Sequence, residues 1–185
     1  MKRLGMIYLI IAAMACLGLG FGLWSQNFNS AGPVSTGSLN VVFSSFTAPS
    51  ATLGATFSVY QVDSHTCDIS LNDLYPTCNP TFNFVLKDTG TVPGKITHIY
   101  IKQGGVAVTG GTDPTGAVPL KLGADTNNDI SVTVGGISVG DSITANGTLS
   151  GSLTINTWSL ASNGNDATAN AGGSFTFEID TAQNP

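Results

Sequence analysis

The sequence predicts an all-β protein folded as a single antiparallel β-sandwich of the Ig-like or jelly-roll type. From Ser38 onward, apolar and polar residues alternate with period 2 over short runs, and Gly, Pro, Asn and Asp separate these runs. Seven runs show the pattern: SLNVVFSSF, ATFSVYQV, TFNFVLK, KITHIYIK, DISVTV, SLTINTW and SFTFEI. Because each such strand has one apolar face, the strands are expected to bury these faces between two packed sheets.

The alternation also predicts core and loop positions. Phe175, Phe177 and Ile179 occupy alternate positions of the last run and therefore face the same side, and the run TFNFVLK repeats this arrangement. Residues 104–128 are rich in glycine and are expected to form a long exposed loop, suited to lateral contacts with neighbouring molecules.

The composition excludes nucleic acid as a partner. Only 9% of the residues are charged, and four lysines after Ser25 stand against the eleven acidic residues of the whole chain. This excess of negative charge repels a phosphate backbone. The many hydroxyl and amide side chains are typical of extracellular surfaces.

The N-terminus has the layout of an export signal. Lys2 and Arg3 precede an uncharged stretch from Leu4 to Trp24. We assign residues 1–25 to the signal, with cleavage expected between residues 20 and 31. The membrane is then a partner only during export.

Three other fates of this segment stay open. About 20 apolar residues are enough to span a bilayer as a helix, although three glycines after residue 17 weaken a helix there. The sequence AMAC, ending at Cys16, resembles a lipoprotein box. KRLG followed by an apolar run resembles an archaeal type IV prepilin that is cut after Gly5.

Two cysteines of an exported chain are expected to form a disulfide. Cys67 and Cys78 lie eleven positions apart in SHTCDISLNDLYPTC, and the bridge is predicted to close this segment as a loop. The alternative is a metal site made by both cysteines and His65, although a fourth ligand is missing from the pattern.

Other candidate sites are weaker. Asp125, Asn127 and Asp129 resemble the start of a calcium loop, but a solvated turn explains them better because the later ligand positions do not match. Asn146 begins the sequon NGT and is a candidate for glycosylation. The sequence has two histidines and no motif for a metalloprotease or a serine hydrolase, so we expect no enzyme and no cofactor.

Three segments together resemble the TasA and camelysin family of biofilm-matrix fibre subunits, and in character the archaeal bundling pilins of that group. LWSQNFNSAGPVSTGSLNVVF has the family's Trp (Trp24) at the end of the signal and a strand opening with Gly37–Asn40. KDTGTVPGKITHIYI is similar to the family's middle segment, and FTFEIDTAQNP is similar to its closing strand.

The resemblance implies an extracellular filament of identical subunits, polymerised head to tail by donor-strand complementation and able to contact neighbouring filaments laterally. Residues 26–36 would be the donor strand of the next subunit, and residues 37–185 the sandwich domain. An extended arm of this kind adds backbone hydrogen bonds to an open sheet edge and seats alternate side chains in pockets. The arm residues assigned to this role are Gln26, Asn27, Phe28, Asn29, Ser30, Ala31 and Val34.

Phe28 and Val34 are the expected apolar anchors of the arm, and Pro33 limits the length of its ladder because it lacks an N–H donor. Three alternative functions remain: a type IV pilin-like subunit with a retained N-terminal helix, a monomeric cell-surface adhesin module, and a secreted metallohydrolase.

Overall fold

The computed structural model describes residues 37–51, 54–75, 77–122, 130–157 and 171–184. In these ranges the chain forms eleven strands and no helix, so none is long and apolar enough to cross a membrane. The strands are β1 Val41–Thr47, β2 Thr56–Gln61, β3 Thr66–Leu74, β4 Thr81–Asp88, β5 Gly94–Gln103, β6 Val106–Thr112, β7 Val118–Leu120, β8 Ile130–Gly135, β9 Ser142–Ile143, β10 Thr148–Thr157 and β11 Ala171–Gln183.

The strands form two antiparallel sheets. Sheet 1 has the order β1-β4-β10-β8-β7, and sheet 2 has the order β2-β3-β11-β5-β6, with β9 paired to one end of β5. The all-β, two-sheet prediction is therefore confirmed. Within the described part of the chain, β1 and β7 are the outer strands of sheet 1, and β2 and β6 are the outer strands of sheet 2.

Phenylalanine side chains join the two sheets. Phe84 of β4 and Phe177 of β11 are almost fully buried, and their ring centroids lie 5.2 Å apart. Phe43 of β1 packs at 5.7 Å from Phe84 and at 5.9 Å from Phe177. Such aromatic contacts add about 0.5–1.5 kcal/mol each beyond the burial of apolar area. The rows predicted to face the core on β4 and β11 do so.

The glycine-rich segment is only partly a loop. The structure places β6 and β7 inside residues 104–128, so the expectation of one long exposed loop is wrong for this part. Gly104 and Gly105, with φ of 58° and 81°, make a two-residue turn between β5 and β6. Positive φ at both positions is what a tight hairpin of this type needs, and glycine supplies it without strain. Residues 123–129 lie outside the described residues.

The predicted Cys67–Cys78 disulfide is wrong. Both cysteines are buried free thiols. The segment between them is not a loop, because Thr66–Leu74 is strand β3, held between β2 and β11. An extended strand rises about 3.3 Å per residue, so Cys67 lies roughly 23 Å from Leu74, beyond the Cα separation that a disulfide allows. Cys78 stays near the Leu74 end, where its N–H donates to the Tyr75 carbonyl at 3.1 Å.

The same separation removes the alternative metal site of His65, Cys67 and Cys78, since no three His, Cys, Asp or Glu side chains of the described residues are grouped so that they could hold a metal ion. Burial also raises the pKa of the Cys67 thiol to about 12. Cys67 is therefore a neutral core residue.

The two cysteines give a direct test of the fold. We expect the domain of residues 37–185, prepared without reductant, to carry two titratable thiols after unfolding, and we expect Cys67 to react very slowly with a thiol reagent while the domain is folded at neutral pH. The Cys67 thiol is buried and protonated, and such thiols are poor nucleophiles. Ser58→Cys, at an exposed position of β2, is the positive control and should react at once in the folded state. Loss of both thiols in the unfolded, unreduced protein would contradict the structure.

Candidate functional site

The first described residues are held by the loop that follows β4. The Thr89 N–H donates to the Asn40 carbonyl at 2.8 Å, and the Thr91 N–H donates to the Ser38 carbonyl at 2.7 Å. The Ser38 N–H in turn donates to Oγ1 of Thr91 at 2.9 Å. These bonds continue the pairing of β1 with β4 into the loop that follows β4. They hold residues 38–40 to the rest of the domain.

Asp88 and Gly90 shape this loop. Oδ1 of Asp88 accepts a hydrogen bond from the Gly90 N–H at 2.7 Å, a local bond that closes an Asx turn. Oδ2 of the same, fully buried carboxylate has no hydrogen-bond partner in the described part of the chain. A Cβ on Gly90 would lie 2.2 Å from the Ser38 carbonyl oxygen, so only glycine permits the close approach of the two segments.

The C-terminus reaches the same end of the sandwich. Gln183, the last residue of β11, pairs with Gly94, and the Asn184 N–H donates to the Pro93 carbonyl at 2.9 Å. The side chain of Asn184 donates to Oγ of Ser142 at 3.0 Å. We call this end, formed by residues 37–41, 88–94 and 183–184, the root pole. The three segments that carried the family resemblance thus meet there.

On one side of the sandwich, the outer strands of the two sheets, β1 and β2, are joined at one place. The Phe43 N–H donates at 2.9 Å to the carbonyl of Ser64, in the turn after β2, and the side chain of Gln61, the last residue of β2, donates to the Phe43 carbonyl at 3.4 Å. A bulge between Phe43 and Ser45 then turns Phe46 toward the core.

Half-buried apolar side chains line this side. Phe46 and Ala48 come from β1 and the residues after it, and Phe57 and Val59 come from β2. We call these four residues and the two strand edges beside them the β1–β2 seam. Each of these side chains packs on the core yet keeps part of its surface exposed, so an added apolar side chain could cover it.

The opposite side of the sandwich is closed to further strands. β7 has three residues, one of which is Pro119, and a proline on an edge strand removes a backbone donor. The amide of Gln103 bridges the sheets there by accepting from the Lys121 N–H at 3.1 Å and donating to the Lys121 carbonyl at 2.9 Å. On β6, a Cβ at Gly111 would lie 2.5 Å from the Ile101 carbonyl oxygen, which marks a sharply bent edge.

The outer face of sheet 2 is polar. Lys102 donates to Glu178 at 2.7 Å and lies 4.9 Å from the centre of the Tyr100 ring. His98 and the Ile99 N–H both bond to Asp113. Burial acts to raise the pKa of Asp113, but these bonds outweigh it and leave the pKa below its ordinary value. The side chains of this face satisfy one another, as expected for a solvated surface.

The remaining predicted sites have separate positions. Asn146 is exposed, with φ of 60°, in the Thr144–Gly147 turn, so its side chain is accessible as the sequon requires. Asp125, Asn127 and Asp129 lie outside the described residues. So do the arm residues Gln26 to Val34.

Sequence reasoning found the strands β1 and β2 but missed the seam between them. Periodicity reports which residues of a strand face inward, and it carries no signal for which strands lie at an edge. Only the sheet order identifies β1 and β2 as outer strands.

The close contact at Gly90 predicts a mutational effect. Gly90→Ala should destabilise the domain by about 1–3 kcal/mol, because the new methyl group overlaps the Ser38 backbone. It should also speed hydrogen exchange at the Thr89 and Thr91 amides. Gly116→Ala is the matched control, since its Cβ would meet no atom within 4 Å, and should change stability by less than about 0.5 kcal/mol. Unchanged exchange at both threonines in Gly90→Ala would show that the contact is not maintained in solution.

Comparison with known proteins adds no relative. The chain matches no protein-family model, no curated protein and no solved structure.

Proposed function

We propose that this protein is an exported structural subunit of an extracellular filament, a bundling pilus or biofilm-matrix fibre, polymerised head to tail by donor-strand complementation. Residues 26–36 of one subunit add a strand along the β1–β2 seam of the next. The observation that carries the proposal is the seam itself: the outer strands β1 and β2, free of proline and glycine, with half-buried apolar side chains beside them.

The chemistry of the arm is complementary to this seam. Gln26 to Thr36 has no charged residue, and its anchors Phe28 and Val34 are six positions apart. Residues an even number of positions apart lie on the same face of an extended strand. Both anchors therefore face the seam while the arm backbone pairs with a strand edge.

The root pole supports the direction of assembly. Hydrogen bonds from Thr89 and Thr91 hold residues 38–40 to their own domain. A strand donated from a firmly held base loses less entropy on binding than one on a loose linker. Because donor and acceptor are different surfaces, the contact is heterologous and repeats without closing, which produces a filament.

Substitutions in the arm test the donor. Phe28→Asp should abolish filaments, because it places a charge against apolar side chains of the seam. Asn29→Asp adds the same charge on the opposite face of the strand and should leave filaments intact. Filaments are measured by sedimentation and electron microscopy. Deletion of residues 26–36 should leave monomers, and filaments of normal length from that variant would refute donor-strand assembly.

Matched substitutions on β2 test the acceptor. Val59→Asp changes an inward, half-buried seam residue, and Ser58→Asp changes its exposed neighbour on the outer face. Val59→Asp chains can still donate an arm but accept one poorly, so a small fraction of them mixed with wild-type protein should shorten the filaments. Ser58→Asp should have no such effect. Circular dichroism establishes that both variants are folded, and equal filament lengths in the two mixtures would place the acceptor elsewhere.

A further inference from the structure

A small pocket lies at the end of the sandwich opposite the root pole, which we call the far pole. Its volume is about 190 Å³, and its lining includes Pro49, Phe57, Tyr75, Thr77, Cys78 and Pro80. Phe57 belongs to both the pocket and the β1–β2 seam. The pocket therefore forms the far-pole end of the seam.

The walls of the pocket are held by one buried residue, Thr157, at the end of β10. Its hydroxyl donates to the carbonyls of Tyr75 and Cys78, at 3.0 and 2.8 Å. Its N–H donates to Oδ1 of Asn79 at 3.1 Å, and its carbonyl accepts from the Thr77 N–H at 3.2 Å. These bonds fix the loop between β3 and β4, so the pocket is already formed before any ligand binds.

Two prolines and two aromatic rings line part of the pocket, and Ser50, Thr77, Cys78 and Asn79 line the rest. Grooves that combine proline and aromatic side chains with polar ones bind extended, proline-containing peptides, because such peptides lose little conformational freedom on binding. The N-terminal arm has one such element, Pro33–Val34, three to four residues before the domain begins at Gly37. The arm around it carries no charge, so its burial requires no ion pairing.

A chain cannot place this element in its own pocket. The eight residues of β4 run from Thr81, next to Pro80 at the far pole, to Asp88 at the root pole, a distance of about 23 Å. Pro33 is four residues from Gly37 and reaches at most about 14 Å when fully extended. Only a second copy of the chain can supply Pro33–Val34.

We propose that the far-pole pocket of one subunit binds Pro33 and Val34 of a second copy. This inference rests on the proposed filament function, and it specifies which ends of two subunits meet. Because Pro33 and Val34 are so close to the domain they come from, the root pole of the donor packs against the far pole of the acceptor. Phe28 then lies six residues, or roughly 20 Å, further along the seam of the acceptor.

The native Cys78 in the pocket permits a direct test in the full-length, exported protein. Val34→Cys should form an intermolecular disulfide with Cys78 when assembled filaments are treated with a mild oxidant, giving a ladder of covalent oligomers on a non-reducing gel. Phe28→Cys is the matched control on the same face of the arm. It should cross-link at least about tenfold less, because its Cα lies beyond disulfide range. The ladder should disappear in the Val34→Cys, Cys78→Ser double variant.

A second measurement keeps the arm native. A photo-reactive benzophenone amino acid at position 77, on the exposed rim of the pocket, should attach to the segment 30–36 of another subunit, as identified by mass spectrometry.

The outcomes separate the two proposals. Two outcomes overturn the pocket assignment and leave the filament function standing. In the first, filaments depend on the arm but both cysteine variants give equal ladders. In the second, the photo-reactive residue attaches only to residues 158–170 of its own subunit. Filaments that form without residues 26–36 overturn both proposals.

Discussion

The edges of the two sheets set the constraint on which the rest of this structure depends. An outer strand carries backbone N–H and C=O groups that point away from its sheet, and a protein must either block them or use them. In this domain the outer strands on the two sides of the sandwich differ in whether their backbone groups are blocked. β6 and β7 are blocked by a bent glycine segment, by Pro119 and by the Gln103 bridge to Lys121. β1 has a bulge between Phe43 and Ser45, but neither β1 nor β2 contains proline or glycine.

This asymmetry gives the domain two distinct ends and one side whose outer strands carry neither proline nor glycine. At the root pole, the close contact of Gly90 with Ser38 holds the first described residues to the domain. At the far pole, Thr157 holds the walls of a preformed pocket. The proposed filament requires a subunit with different ends and one open side, because such a subunit adds further copies in one direction only. The polar outer face of sheet 2 carries the ion pair between Lys102 and Glu178.

The alternation of apolar and polar residues predicted correctly which side chains face the core in the long strands where this alternation is strict. Phe82, Phe84 and Leu86 were expected to face the core and do so, because the period of two is a local property of extended chain. The prediction was wrong at Cys67 and Cys78. The predicted export of the chain suggested a disulfide, whereas the intervening residues pair with β2 and β11 and hold the cysteines far apart. Nothing in that short segment encodes the partners that make it a strand.

The sequence by itself determined the class of the fold, the inward rows of the long strands and the low content of charged residues. These properties follow from composition and local periodicity, which need no partner. Only the tertiary structure decided the order of the strands and the position of the seam. It also decided the convergence of three separate segments at the root pole and the pocket at the far pole. Each depends on contacts between residues some 40 to 100 positions apart, such as Ser38 with Thr91 and Tyr75 with Thr157, and the pairing of such distant residues is selected by the packing of the whole core.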